Sequence, residues 1–178
     1  MSNEPALWGD AWIAYMVGRY EGPLVRYAAR IVGDADSARD VVQETFLRLC
    51  RERPADLDGH LAQWLFTVCR NQALDVCRKE NRMTSISMAA AEACASREPS
   101  QAAVIEGQDT TGAVLQILAT LPADQQEVVR LKFQNGLSYR EISQVTGLTV
   151  TNVGYLLHTA IGKLRTQLSD QDLRASER

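Results

Sequence analysis

Toward its C-terminal end the chain places apolar residues at Val153, Leu157, Ala160, Leu164 and Leu168. These steps of three and four give a helix one buried side. Asn152, Tyr155, His158 and Thr159 fall on its other sides. A shorter helix is predicted just before it. Ser138 and Glu141 form the S-x-x-E pattern of a capping box, in which each side chain satisfies a backbone N–H that the first turn leaves unpaired. Gly147 can take the left-handed conformation that closes a helix, so this one ends near Thr146, and Thr149 is placed to cap the next. Short helix, glycine turn and longer helix make a helix-turn-helix pattern, a unit that sets the first turns of its second helix in the DNA major groove. A glycine-linked helix pair also serves plain all-α cores, so the pattern alone leaves both readings open.

The same period runs through the N-terminal half. Residues 8–32 present Trp8, Trp12, Ile13, Met16 and Val17, then Leu24, Val25, Tyr27, Ala28, Ile31 and Val32. Gly22-Pro23 is expected to separate two helices, with Pro23 in a first turn. After a turn at Gly33, Asp34 or Asp36 caps a helix whose apolar stripe is Val41, Val42, Thr45, Phe46 and Leu49. Its opposite face collects Asp36, Asp40, Gln43, Glu44 and Arg48. The helix dipole alone favours acidic residues in a first turn, so a solvated face and a binding face stand as equal readings. A further helix is predicted from about His60 to Arg82, with Trp64, Leu65, Val68, Ala73, Leu74 and Cys77 toward a core. Its other side carries Arg70, Asn71, Arg78, Lys79 and Arg82. Strand-binding surfaces use cations for phosphates and planar groups for bases, although a solvated basic face has the same composition.

Residues 84–112 contain no aromatic residue and no sustained apolar stripe, which predicts a flexible, acidic linker, with the alanine-rich run 89–95 helical in part. Residues 113–121 form one short helix. Another starts near Pro122, presents Val128, Val129, Leu131 and Phe133, and ends at Asn135-Gly136. These two back the helix-turn-helix. The expected fold class is all-α: two small helical domains at 1–83 and 113–170, joined by the linker at 84–112 and followed by a tail at 171–178.

Composition narrows the function classes. The 178 residues are 46% hydrophobic and 23% charged with 5 prolines, an ordinary globular balance. There is no apolar run of membrane-spanning length and no signal peptide in MSNEPALWGD, so a cytoplasmic protein without direct membrane contact is expected. Cys50, Cys69, Cys77 and Cys94 lack metal-ligand spacing, and Cys69 and Cys77 read as buried thiols. With no glycine-rich phosphate loop, no metal cluster and His60 far in sequence from His158, neither an enzyme nor a cofactor or metal is expected. A net charge of −3 is awkward for a protein that binds DNA alone, because Lys and Arg supply most non-specific affinity. Residues 113–168, however, carry 5 basic against 3 acidic groups, and residues 70–82 carry 4 against 2. That distribution suits a protein that meets DNA at two places while something larger contributes affinity.

Both halves together resemble the extracytoplasmic-function sigma factors of bacterial RNA polymerase. PLVRYAARIVGDADSARDVVQETFLRL followed by QWLFTVCRNQALDVCRK is similar to the family's domain 2, and LPADQQEVVRLKFQNGLSYREISQVTGLTVTNVGYLLH to its domain 4. The resemblance implies that the helix with Asp36, Asp40, Gln43, Glu44 and Arg48 docks on the clamp helices of the polymerase's largest subunit, and that the protein also meets the flap. It implies that Trp64, Arg70 and Asn71 open the minus-ten element and hold the non-template strand, with Arg78, Lys79 and Arg82 on phosphates. The second helix of the helix-turn-helix reads the minus-thirty-five element of promoter DNA, through Thr149, Thr151, Asn152, Gly154, Tyr155, His158, Thr159, Lys163 and Arg165. An anti-sigma factor or a kinase is the regulator such a protein implies.

Two departures stand out against that family. Its acidic run D-A-E-D appears here as Ser37-Ala38-Arg39-Asp40, which predicts weaker docking and makes Ser37 a candidate for phosphorylation. Relatives usually carry Arg or Lys where this chain has Gly154, Leu156, Thr159, Ile161 and Gly162, so readout falls to Asn152, Tyr155, His158 and Thr159, and His158 reads equally as a solvent-exposed histidine. The alternative function is a stand-alone helix-turn-helix regulator that binds duplex promoter DNA without polymerase. A protein that occupies polymerase without initiating is a third.

Overall fold

The computed structural model describes residues 9–85 and 110–176, and within them every regular element is helical. These residues form two separate units, each with its own core.

The N-terminal unit packs three helices against one another: α1 (Asp10–Val32), α2 (Ala35–Leu49) and α3 (Leu61–Ser85), with a 3-10 turn at Pro54–Asp56 between the last two. The expected break at Gly22-Pro23 does not occur. Pro23 lies inside one continuous α1, where it forfeits a backbone hydrogen bond at a cost of about 3 kcal/mol. Burial of Leu24, Tyr27, Ala28 and Val32 in the turns that follow offsets that cost, since each buried Leu or Val contributes about 1.5–3 kcal/mol. Gly33, in the left-handed conformation at φ 89°, ends α1, and the Asp34 carboxylate accepts from the Ser37 N–H at 2.7 Å to start α2. All five residues of the expected α2 stripe are buried, together with Ala38.

On α3 the core residues are Leu65, Phe66, Cys69, Ala73 and Cys77, while Trp64, Val68 and Leu74 are only half-buried. Phe66, absent from the sequence expectation, and Cys69, expected as a buried thiol, are the centre of this side. The ring of Phe66 meets that of Tyr27 edge-on, with centroids 5.3 Å apart. Cys77 donates to the Ile31 carbonyl at 3.2 Å, and burial pushes the Cys69 thiol up to about 12. Both behave as core thiols, Cys50 is exposed, and Cys94 lies outside the described residues.

The C-terminal unit has four helices, α4 (Thr110–Ala119), α5 (Ala123–Phe133), α6 (Tyr139–Thr146) and α7 (Val150–Ser176). α7 packs on each of the other three. The side-chain amide of Gln126 closes the end of α4 by donating to the Ala119 and Leu121 carbonyls at 3.1 and 2.8 Å, and its oxygen accepts from Arg130 at 2.6 Å. Through Nη1 the buried guanidinium of Arg130 is tied into that relay. Phe133, expected in the core, is 64% exposed instead, because two residues after the fully buried Leu131 the helix has turned its side chain well away from that side.

The helix-turn-helix forms as its sequence signals require. Ser138 and Glu141 bond reciprocally, Gly147 sits at φ 77°, and Thr149 accepts from the Asn152 N–H at 3.2 Å. Val153, Leu157 and Ala160 are buried and Leu164 and Leu168 half-buried.

Two measurements test this account. Gly147→Ala forces a Cβ into the left-handed region and is expected to lower stability by about 1 kcal/mol, while Gly162→Ala, in open space on an exposed helix side, is expected to raise it by about 0.5–1 kcal/mol. Urea unfolding of the two variants should move in opposite directions. Cys69 stays protonated when folded at pH values where an unfolded thiol ionises, so the unfolded state binds fewer protons above pH 9. Stability is therefore expected to fall by about 1.4 kcal/mol per pH unit between 9 and 12 from this group, and Cys69→Ala should flatten that slope.

Candidate nucleic-acid and polymerase interfaces

Each helix that buries one side presents the opposite side to solvent, and the sequence-predicted residues sort onto those sides. On α3, Trp64, Asn71 and Arg78 recur every seven residues, two helical turns, and Arg82 follows one turn later. These four share a line opposite Phe66, Cys69 and Ala73. Lys79 flanks it on one side and Arg70, half-buried, on the other. From Trp64 to Arg82 the line is about 27 Å long, the reach of several nucleotides. Arg78 is held by Asp75 at 2.8 Å, an exposed pair weak enough to exchange a carboxylate for a phosphate. The half-buried Trp64 offers an edge to solvent at one end of a cationic strip.

On α7, Thr151, Tyr155, His158 and Gly162 face away from Val153, Leu157 and Ala160, with Asn152 and Thr159 at the rim. Tyr155 is 66% exposed and dominates this surface. Thr149 is occupied by its capping bond. Gly154 does not point into the open: a Cβ there would stand 3.7 Å from the ring of Tyr139 on α6. Lys163 turns toward α5, with its ammonium 3.5 Å from the Gln125 side-chain oxygen, and Arg165 is exposed. The side of α7 around Tyr155 therefore presents Thr, Tyr, His and Gly rather than Arg or Lys. Nearby cations come from elsewhere, for Lys132 lies 5.5 Å from the Tyr139 ring centroid. Sequence reasoning missed Tyr139 and Lys132, which join the surface only when α5, α6 and α7 fold together.

On α2, Asp36, Asp40 and Gln43 form one exposed line, and Leu47, 48% exposed, continues it. Leu47 was legible as the next position on that line, but its apolar character masked it. Two of the carboxylates are already engaged: Arg39 pairs with Asp36 at 2.6 Å and Arg48 with Glu44 at 3.3 Å. Three carboxylates against two guanidiniums leave this face a net charge of −1. No group of side chains able to hold a metal ion occurs among the described residues, and none of the described helices is long and apolar enough to cross a membrane.

Comparison with known proteins places the chain in a family. Residues 16–83 match the model of sigma-70 region 2, and residues 111–164 that of sigma-70 region 4. Over 151 residues the chain is 33% identical to the ECF RNA polymerase sigma factor SigL of Mycobacterium tuberculosis, covering 83% of each. It is 31% identical over 143 residues to EcfG of Rhodopseudomonas palustris, covering 80% of this chain and 77% of that one. Two solved structures share the fold. The sigma factor RpoE of Bartonella quintana, crystallised with the anti-sigma factor NepR, gives a TM-score of 0.63 at 23% identity over 88% of this chain and 96% of that one. CnrH, in complex with the cytosolic domain of CnrY, gives 0.54 at 24% identity over 91% and 90%. Two helical units with solvent-facing stripes, matched in order by the two sigma-70 regions and by relatives of the same length, establish that the chain belongs to the extracytoplasmic-function family of RNA polymerase sigma factors.

Proposed function

We infer that this chain binds core RNA polymerase and directs it to specific promoters, using its N-terminal unit for docking and minus-ten opening and its C-terminal unit for the minus-thirty-five element. The observation that carries the reading is the occurrence of sigma-70 regions 2 and 4, in order, on the helices that present these stripes. Domain 2 is assigned to 1–83, the linker to 84–112, domain 4 to 113–170 and the tail to 171–178, while the helices themselves overrun these bounds: α3 continues to Ser85, α4 starts at Thr110 and α7 continues to Ser176. Asp36, Asp40, Gln43, Glu44 and Arg48 are assigned to polymerase docking, with Leu47 as an apolar contact among them. Trp64, Arg70, Asn71, Arg78, Lys79 and Arg82 are assigned to the opened strand. The line on α3 supports that role: base capture favours unstacked DNA over duplex, and aromatic and cationic groups supply it. Thr151, Asn152, Tyr155, His158 and Thr159 are assigned to base edges, Arg165 to phosphate, and Thr149, Gly154 and Lys163 to supporting positions.

The protein acts without catalysis of its own; bond formation belongs to the polymerase. Its place of action is the cytoplasm, where polymerase and promoters meet. Because RpoE and CnrH are seen with NepR and with the cytosolic domain of CnrY, a protein inhibitor of comparable kind is the regulator we assign here.

Run-off transcription with core polymerase tests the reading: specific initiation supports it, and a promoter shift without polymerase favours the stand-alone regulator. Trp64→Ala is expected to reduce initiation on duplex templates by about 5- to 150-fold, the value of one lost base stack, and to recover on a template with a pre-opened bubble. On α2, Arg39→Glu frees Asp36 and takes the face from −1 to −3. Core-polymerase binding in a pull-down should tighten several-fold at low salt, and further with Ser37→Asp.

A further inference from the structure

Helix α1 carries a column of arginines that none of the roles above uses. Arg19, Arg26 and Arg30 are spaced by seven and four residues and so share one line of the helix. The buried residues Leu24, Ala28 and Val32 lie on another side. Arg19 and Arg26 are exposed, and Arg30 is half-buried. The guanidiniums climb the helix. Nη1 of Arg26 lies 3.3 Å from where a Cβ on Gly22 would stand, and Nη1 of Arg30 donates to the Arg26 carbonyl at 2.7 Å. Among the described residues none of the three forms an ion pair with a carboxylate.

Like charges one turn apart repel, and burial together with the charge of Arg26 holds Arg30 below the usual guanidinium range. A self-repelling column without counter-charge is stabilised by an anion. Its length, eleven residues or about 16 Å, spans several phosphates of one strand. Tyr15, 61% exposed, stands one turn before Arg19 on the same line and adds an aromatic face at one end. A protein partner would be met by an apolar centre with charges at its rim, and this line has charges at its centre.

We propose that Arg19, Arg26 and Arg30 of α1 hold the phosphates of single-stranded promoter DNA in the opened complex, with Tyr15 stacking on a base at the end of the column. The proposal rests on the initiation-factor reading and adds a second strand contact to that of α3. Arginine presents a planar fork to each phosphate, and release of counterions makes the contact salt-dependent.

The test uses the full chain assembled with core RNA polymerase on a promoter fragment with a pre-opened bubble, so that melting is not limiting. The stability of the complex is measured against salt for the double variant Arg19→Gln with Arg26→Gln, the triple variant that adds Arg30→Gln, and the corresponding triple lysine variant. At about 0.7 per phosphate contact, the slope of log affinity against log salt should fall by about 1.4 in the double variant and about 2.1 in the triple, and stay near wild type with lysine. The double variant touches only exposed positions, and an unchanged melting temperature establishes that it folds. A single-strand patch of uncharged methylphosphonates should weaken the wild-type complex and leave the triple variant indifferent. An unchanged slope in the double variant overturns the column. Sensitivity mapping to duplex phosphates overturns the single-strand assignment, and loss of polymerase binding without DNA assigns the arginines to protein and overturns the proposal. Should the wild-type chain form no promoter complex with polymerase, the initiation-factor reading itself fails and the column falls with it.

Discussion

Each helix in this protein can bury only one side, and that constraint governs the rest. Units of three and four helices have no second layer to cover an outer face. The apolar stripe fixes how a helix is rotated, and the rotation decides which polar residues meet solvent together. Val41, Thr45 and Leu49 turn Asp36, Asp40 and Gln43 outward; Phe66, Cys69 and Ala73 turn Trp64, Asn71 and Arg78 outward; Val153, Leu157 and Ala160 turn Thr151, Tyr155 and His158 outward. Function is thus written on the complement of the core.

That logic explains what the chain revealed before folding and what it withheld. The α2 stripe and the helix-turn-helix were legible because their signals are local: a period, a capping box and a left-handed glycine act within a few residues. Pro23 misled because a proline usually marks a boundary, whereas the decisive quantity was burial against two helices remote in sequence. Phe133 misled because the apolar residues of α5 do not all fall on one side, and two positions past the buried Leu131 the helix has turned outward. Gln126 and Arg130 were invisible for the opposite reason. Gln126 donates to the end of α4 and in turn accepts from Arg130, a chain of bonds whose far end no pattern within α5 announces.

The candidate site divides along the same line. Residues of one helix, such as Trp64, Asn71 and Arg78, could be grouped by spacing alone. Residues of different helices could not: the approach of Tyr139 to Gly154, and of Lys132 to Tyr139, exists only after α5, α6 and α7 have packed. Pairing of Arg39 with Asp36 likewise changes what the acidic face can offer, since a carboxylate already engaged attracts a partner less than a bare one.

Contact between Gly154 and the Tyr139 ring limits which side chains the outward face of α7 can carry. A methyl group fits against the ring at 3.7 Å, but a long cation at that position has to displace the tyrosine first, and with it the aromatic face that Lys132 rests on. Variation on this face is thereby channelled to the exposed Thr151, Tyr155 and His158, where side chains can grow without disturbing the helix pair. A long side chain at position 154 therefore requires two coordinated changes rather than one, at the glycine and at the tyrosine that stands over it.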